Sequence, residues 1–241
     1  MKIIFKIHPI TYIVTLLFIL LGYFKLYCSF LLILFIHEMG HIFCAFLFKW
    51  HIKQIVCLPI GFLLKFEDSL NKPLIEEFFI AIAGIISQLI FISFIYNVTL
   101  IMCSNIIFLF NILPIYPLDG SKVINIFLNK VTSFKTSYFL TLLISFVSSI
   151  LLLIFFIINK SFIPVITLIL LLKNIIDLFY ERNKLYTKFI LERYLYNFKF
   201  KKSKRINSIY KIKRDYNHSF IINNHIYSEK EVLNKYFNSL F

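Results

Sequence analysis

The sequence predicts an all-α polytopic membrane protein with about six transmembrane helices and a small α+β cytoplasmic tail. Hydrophobic residues make up 59% of the 241 residues and charged residues 16%, whereas soluble chains average about 45–50% and about 25%. The mean hydropathy is +0.81, and a water-soluble domain of this size cannot bury that much apolar surface. The same figures exclude a disordered chain and a disulfide-rich secreted scaffold.

Six apolar segments are candidates for the membrane spans, because a bilayer core of about 30 Å needs roughly 20 apolar residues in a helix. The first segment is short, and we interpret it as an anchor rather than a signal peptide, since no small-residue cleavage site follows it. Pro73, Glu76 and Glu77 are typical of a first helical turn and open the third segment. The predicted spans cover residues 10–24, 27–48, 74–96, 98–113, 138–158 and 161–180.

The positive charges predict the orientation of these spans. With a cytoplasmic N-terminus, 24 of the 26 Lys and Arg residues lie in cytoplasmic segments, and only Lys25 and Lys160 lie outside. Because positive residues favour the cytoplasmic side, both termini of this integral, multi-pass membrane protein are predicted to be cytoplasmic. Residues 1–180 form the predicted membrane domain.

Residues 181–241 form the predicted basic tail, with 14 Lys and Arg residues against five acidic ones. Such a tail could bind nucleic acid, but the groove-reading motifs are missing. We therefore predict that the tail lies at an anionic membrane surface and does not bind nucleic acid. Its end indicates a hairpin turning at Asn223 and Asn224, then a helix with Ser228 and Glu231 as its capping box.

The second segment contains HEMGH, in which His37, Glu38 and His41 form the pattern H-E-x-x-H. On a helix, positions 37 and 41 differ by about 40° of rotation, so both imidazoles project from one face. Two imidazoles at this spacing can bind Zn²⁺, with the intervening Glu beside a water on the metal. Three ionisable groups this close together in a bilayer are costly unless they are paired, metal-bound or next to water. The alternative is a polar cluster that lines a transport path, as in a metal transporter or carrier.

A tetrahedral site needs a third protein ligand besides the two histidines and a water. The fourth segment ends in NILPIYPLDG, from Asn111 to Gly120, where Pro114 and Pro117 cannot continue a helix. Asp119 follows them on the predicted cytoplasmic side, where the histidine pair also lies. We therefore predict Asp119 as the third ligand; a turn-capping Asp before Gly120 is the alternative.

These two strings resemble the site-2 protease family of intramembrane zinc metalloproteases (peptidase M50), whose patterns are H-E-x-x-H and N-x-x-P-x-x-P-x-D-G. The resemblance implies a zinc metalloendopeptidase that acts in regulated intramembrane proteolysis near the cytoplasmic face. It implies one Zn²⁺ per chain bound by His37, His41 and Asp119. It also implies Glu38 as the catalytic acid and base and Asn111 as a substrate-binding residue.

Within the family, the six-span layout and the tail are most similar to the sporulation subgroup typified by stage IV sporulation protein FB. This similarity implies the sigma K precursor as the membrane-associated substrate, and stage IV sporulation protein FA and the bypass-of-forespore protein as regulators. It also implies the cell membrane or the outer forespore membrane as the location. The tail resembles one β-β-α half of the CBS-like nucleotide-sensing domain of that subgroup. A solitary half buries little core, so we expect it to dock on a partner or on a second copy in a homo-oligomer, and ATP is a candidate ligand.

The third span departs from the A-G-P-x-x-N pattern that is common in the family. This chain reads AGIISQ, with Ile85 and Gln88 where the pattern has Pro and Asn, and Ser121 replaces the second Gly usual after D-G. We expect neither departure to touch a metal ligand. The segment from Ile52 to Glu67, around Pro59, has stretches in which apolar and polar residues alternate and stretches of β-branched residues. This pattern predicts a strand or re-entrant loop that pairs with an extended substrate; an ordinary loop is the alternative.

Overall fold

A computed structural model describes residues 4–7, 9–58, 61–66, 70–160, 162–196, 198, 200–222 and 225–238. The helices in these residues are α1 (Pro9–Leu20), α2 (Phe24–Leu47), α3 (Leu74–Ser93), α4 (Val98–Ile112), α5 (Asp119–Val131), α6 (Phe134–Ile158), α7 (Phe162–Leu195) and α8 (Glu229–Asn238). The strands are β1 (Ile4–Ile7), β2 (Ile52–Leu58), β3 (Gly61–Phe66), β4 (Lys202–Ile206), β5 (Tyr216–Ile222) and β6 (His225–Ser228).

Three of the described helices, α2, α3 and α6, are long and apolar enough to cross a membrane, and α1 and α4 are apolar but shorter. The chain is therefore a mostly helical membrane protein, whereas the count of six spans stays a prediction. Helix α7 continues past residue 180, because the residues that follow are good helix formers with a favourable i,i+4 pair, Lys188 Nζ to Glu192 Oε1 at 4.0 Å.

Helix α5 was not expected from the sequence. With only 13 residues and a polar face, it contains no apolar run of the length that a membrane span requires. It packs against α6, where Asn125 Nδ2 donates to Thr141 Oγ1 at 2.9 Å. Helix α5 thereby gives Asp119, its first residue, a fixed position at a helix N-terminus.

Met1–Ser69 and Phe78–Ile112 form one compact unit. In it β1 pairs in parallel with β2, and β2 pairs antiparallel with β3. The strands expected between residues 52 and 67 are thus confirmed, although Pro59 and Glu67 lie outside the described residues. Helices α2 and α3 approach closely at Gly40, where a Cβ atom would collide with Ser87 and with the carbonyl oxygen of Ala83.

Leu70–Glu77 and Leu113–Phe241 form the other unit. Its core joins the start of α6 and the end of α7 to the C-terminal sheet, in which β4 and β5 are parallel and β5 and β6 antiparallel. The rings of Phe134 and Phe189 stack with centroids 3.9 Å apart. The capping box is confirmed, since Ser228 N donates to Glu231 Oε2 at 2.9 Å and Glu231 N to Ser228 Oγ at 3.4 Å. The predicted turn at Asn223 and Asn224 lies outside the described residues.

In this second unit, C-terminal residues hold the first turn of α3. The backbone N–H of Leu74 donates to both carboxylate oxygens of Asp215, at 3.3 and 3.2 Å. Arg214 pairs with Glu77 at 2.6 Å and donates to the carbonyl oxygen of Lys72 at 2.8 Å. A carboxylate at a helix N-terminus satisfies free N–H groups and complements the helix dipole, so residues 141 positions further along the chain cap this helix.

A buried ion pair lies at the centre of the C-terminal core. Arg193 donates to Glu229 Oε1 at 2.8 Å and to Asn71 Oδ1 at 2.8 Å. Burial by itself would raise the pKa of Glu229, but the hydrogen bond with His218 and the charge of Arg193 outweigh it, and the pKa is lowered. Burial lowers the pKa of Arg193, and Glu229 opposes that shift.

We expect Glu229→Gln to lower the free energy of unfolding of this unit by about 3–5 kcal/mol at neutral pH, because a buried guanidinium loses its counter-ion. Since folding lowers the pKa of Glu229, its stabilisation is complete above the ordinary value of about 4.3 and is lost as the pH falls through the lower folded pKa. The difference between wild type and variant should therefore shrink below about pH 4. Hydrogen exchange of the β5 amides measures this difference in the free energy of unfolding. Glu231→Gln is the control and should leave the stability unchanged, because Gln also serves in a capping box.

Candidate metal centre

The two histidines of HEMGH lie on the buried face of α2, as the sequence predicts. His37 is 1% exposed and His41 is 4% exposed. Their rings meet edge to face with centroids 4.8 Å apart, and their Nε2 atoms are 3.1 Å apart. A zinc ion bonds to imidazole nitrogens at about 2.0–2.1 Å, which puts two tetrahedral nitrogen ligands roughly 3.3 Å apart. The observed spacing therefore fits a shared metal ion.

Hydrogen bonds at the opposite ring nitrogens hold both imidazoles in one tautomer. His41 Nδ1 lies 2.6 Å from the carbonyl oxygen of Ile80, which can only accept, so this Nδ1 carries the proton. His37 Nδ1 lies 3.1 Å from Gln88 Oε1, which also accepts. Both Nε2 atoms therefore carry a lone pair, and the two lone pairs face each other. Neutral histidines arranged in this way are typical of metal ligands.

The expectation that the altered third span does not touch a metal ligand is wrong for Gln88. This side chain is completely buried, and its Nε2 donates to the carbonyl oxygen of Ser104 at 2.7 Å and to Ser104 Oγ at 2.8 Å. These two bonds turn Gln88 Oε1 toward His37. Because Gln88 lies 51 positions from His37, the spacing of residues within either helix gives no sign of this contact.

We expect Gln88→Leu to weaken zinc binding about 10–100-fold, the usual cost of losing a partner that orients a metal-binding histidine. Competition with a fluorescent zinc chelator measures the affinity of purified protein. Gln88→Asn keeps an amide at this position and is the matched control. Ser104→Ala removes the hydroxyl that accepts from the Gln88 amide and tests whether this bond orients the amide. Equal affinity in wild type and Gln88→Leu would remove Gln88 from the metal centre.

Gly84 leaves the space between the two histidines open. A Cβ atom built there would lie 2.6 Å from His41 Cε1 and 2.8 Å from His37 Nε2, and closest to His41 Nε2. Real Cβ atoms do not approach other atoms this closely. The glycine of AGIISQ therefore provides room beside the lone pairs, a role that could not be assigned from the sequence.

Asp119 is the first residue of α5, where the helix dipole favours a carboxylate anion. It is 4% exposed, and its Oδ1 accepts from Lys122 Nζ at 2.8 Å. Two imidazole nitrogens and a carboxylate oxygen are a donor set that zinc accepts. Asp119 belongs to a different compact unit from His37 and His41, so its role as the third ligand stays a prediction.

The other two predicted site residues occupy less buried positions. Glu38 follows His37 on α2 and is half-buried. Asn111 lies in the last turn of α4, and its Nδ2 donates to the carbonyl oxygen of Ile107 at 3.1 Å. This bond holds the amide against its own helix and leaves Oδ1 as the acceptor for a further partner. Their predicted roles in catalysis and substrate binding stay predictions.

Comparison with known proteins finds a family model, a sequence relative and a solved structure that are similar to this chain. The model of Peptidase family M50 matches residues 25–102, which include HEMGH. Stage IV sporulation protein FB from Bacillus subtilis (strain 168) is 33% identical over 202 residues, which cover 78% of this chain and 70% of that protein. Site-2 Protease from Methanocaldococcus jannaschii has a similar fold, with a TM-score of 0.57 and 21% identity over 73% of this chain and 92% of that chain.

The structural neighbour has a similar fold, and the family model covers the apolar helix that contains HEMGH. The resemblance inferred from HEMGH and NILPIYPLDG is confirmed. The chain belongs to peptidase family M50, a family of membrane metalloproteases.

Proposed function

We propose that this protein is an intramembrane zinc metalloendopeptidase that hydrolyses a peptide bond of a membrane-associated substrate near the cytoplasmic face. The observation that carries the proposal is the pair of buried imidazoles, His37 and His41, whose Nε2 atoms face each other 3.1 Å apart inside an apolar helix. Such a pair is costly in a membrane unless a cation binds it. Asp119 supplies the carboxylate that completes the ligand set.

We infer that His37, His41 and Asp119 hold the zinc ion, one per chain. A zinc ion supplies a Lewis acid that makes water acidic and polarises a peptide carbonyl. Glu38, next to a ligand on the same helix, accepts the proton of the attacking water and delivers it to the leaving amine nitrogen. The hydrogen bonds that His37 donates to Gln88 Oε1 and His41 donates to the Ile80 carbonyl oxygen keep the two imidazoles fixed during the reaction.

Substrate binding is proposed to use an extended peptide conformation. A helix hides its peptide groups, so the substrate must unwind before cleavage. The sheet order β1-β2-β3 leaves one side of β3 without a partner strand among the described residues, and a free edge can pair with an extended peptide. Asn111, with its Oδ1 as an acceptor, is the proposed contact to the substrate.

The sporulation relative supports the finer proposals. Its similarity favours the sigma K precursor as the substrate, and stage IV sporulation protein FA and the bypass-of-forespore protein as regulators. The distribution of Lys and Arg supports six spans with both termini in the cytoplasm. The similarity to the sporulation relative favours the cell membrane or the outer forespore membrane as the location. ATP binding by the tail and a homo-oligomer rest on the resemblance to the CBS-like domain.

Coexpression with the sigma K precursor tests the function. Wild-type protein should yield a shortened product and, when purified, hold one tightly bound zinc ion per chain. His41→Ala should lose both, whereas His51→Ala, which changes an exposed histidine, should retain both. Zinc that exchanges freely across a vesicle membrane, with no product, would instead indicate a metal carrier. Cleavage of another membrane-bound precursor would refute the substrate but keep the protease.

A further inference from the structure

A cleft of about 480 Å³ lies between the start of α6 and the middle of α7. Its volume is in the range of small-molecule sites. The walls are mainly aromatic, with two cations among them, and no acidic residue lines the cleft. The lining residues include Lys135, Tyr138, Phe139, Arg182 and Tyr186.

Both cations are held in place by aromatic rings rather than by carboxylates. Lys135 Nζ lies 4.0 Å from the ring centroid of Tyr210 and 5.6 Å from that of Tyr186. The Arg182 guanidinium lies 5.5 Å from the ring centroid of Phe139. Neither cation forms an ion pair with a described residue. No ion pair among the described residues therefore neutralises either cation.

One acidic residue, Glu181, acts by its charge on Tyr138 of the cleft. Glu181 precedes Arg182 on α7 and is exposed. Adjacent residues on a helix point about 100° apart and do not face each other, and Glu181 is not among the residues that line the cleft. An anion entering the cleft would meet two cations from two different helices.

The position of the cleft along α6 indicates where such an anion would come from. Helix α6 is one of the apolar helices long enough to cross a membrane, and the cleft lies at its first turn. Tyr138, Tyr186 and Tyr210 cluster at the same end, and Tyr is enriched at the interface between membrane and water. At this depth the anionic groups of a membrane are lipid phosphates.

We propose that this cleft binds the phosphate headgroup of an anionic lipid, with Lys135 and Arg182 as its charge partners. The phosphate oxygens accept from both cations, and Tyr138 and Tyr186 border the headgroup. The aromatic rings beside the two cations place them on the wall of the cleft, where a phosphate can reach both. The proposal is independent of the proposed protease activity.

Native mass spectrometry of the full chain, released from vesicles of equal phosphatidylglycerol and phosphatidylcholine, tests the site. Wild type should retain phosphatidylglycerol preferentially. The double variant Lys135→Gln/Arg182→Gln should retain about 30-fold less, since each cation near an anionic surface contributes about 1 kcal/mol and 1.4 kcal/mol is tenfold. The charge-conserving Lys135→Arg/Arg182→Lys should keep most of the retention and shows that the variants fold.

The matched control is Lys130→Gln/Lys184→Gln, which removes the same charge from exposed residues outside the cleft. Its retention should equal that of wild type. Equal losses in both double variants, or no preference for phosphatidylglycerol in wild type, would overturn the proposal. Displacement of the lipid by millimolar inorganic phosphate would assign the site to a free anion and equally refute a lipid site.

Discussion

Glu38→Gln is expected to bind zinc and fold as wild type does, yet to cleave its substrate about 10²–10⁴-fold more slowly. That range is the usual contribution of a positioned acid or base. Gln keeps the shape of Glu but cannot accept a proton from water, whereas His37 and His41, the proposed metal ligands, are unchanged. The measurements are product formation in a coexpression assay and zinc content by elemental analysis of purified protein.

The matched control is Glu76→Gln, which removes the same charge from the first turn of a different apolar helix. It should cleave at the wild-type rate. Retained cleavage by Glu38→Gln, with zinc content unchanged, would show that another group is the base. Loss of zinc together with activity would instead make Glu38 a residue that stabilises the metal centre.

Gly84→Ala is expected to remove zinc binding while the chain still folds. The added methyl group would occupy the space between His37 Nε2 and His41 Nε2, where a shared ion must lie. The loss should exceed the roughly 10–100-fold expected for Gln88→Leu, because the ion itself is displaced rather than a partner of its ligand. Alanine is a better helix former than glycine by about 1 kcal/mol, which offsets part of the cost of about 1–3 kcal/mol for crowding the two buried rings, so the metal-free variant should fold with a small loss of stability.

Thermal unfolding with and without zinc separates these two effects. Wild type gains stability from a ligand that binds only the folded state, and Gly84→Ala should gain none. Gly40→Ala is the contrasting variant, because its methyl group would meet Ser87 and the Ala83 carbonyl instead of the histidines. It should be destabilised even in chelator. If zinc still stabilised Gly84→Ala, the space beside Gly84 would not be the place where the metal binds.

The residues of the candidate metal centre could be proposed from the sequence because their chemistry is local or follows from the membrane. His37 and His41 share a helix face by their spacing alone, and their place in an apolar segment makes a structural accident improbable. Asp119 was inferred from the side of the membrane on which its segment ends. That reasoning required only the order of the spans, not the packing between helices.

The surroundings of the site could not be predicted, because they depend on the register between helices. Gln88 contacts His37, and Gly84 borders both histidines, only because α2 and α3 cross closely at Gly40. Helix α5 escaped prediction for a different reason, since the search for spans recognises long apolar runs and α5 is short and amphipathic. The hydrogen bond from Arg193 to Asn71 could not be predicted either, because it joins residues 122 positions apart.

The cap that Asp215 and Arg214 form on α3 bears on how shortened versions of this protein should be made. Cutting the gene after the last apolar segment looks like a clean way to isolate a catalytic fragment. It would delete the carboxylate that accepts from Leu74 and the guanidinium that pairs with Glu77, and thereby fray the very helix that carries Gly84 and Gln88. If a truncated protein were inactive, the cause would then be the frayed first turn of α3 rather than the loss of a regulatory domain.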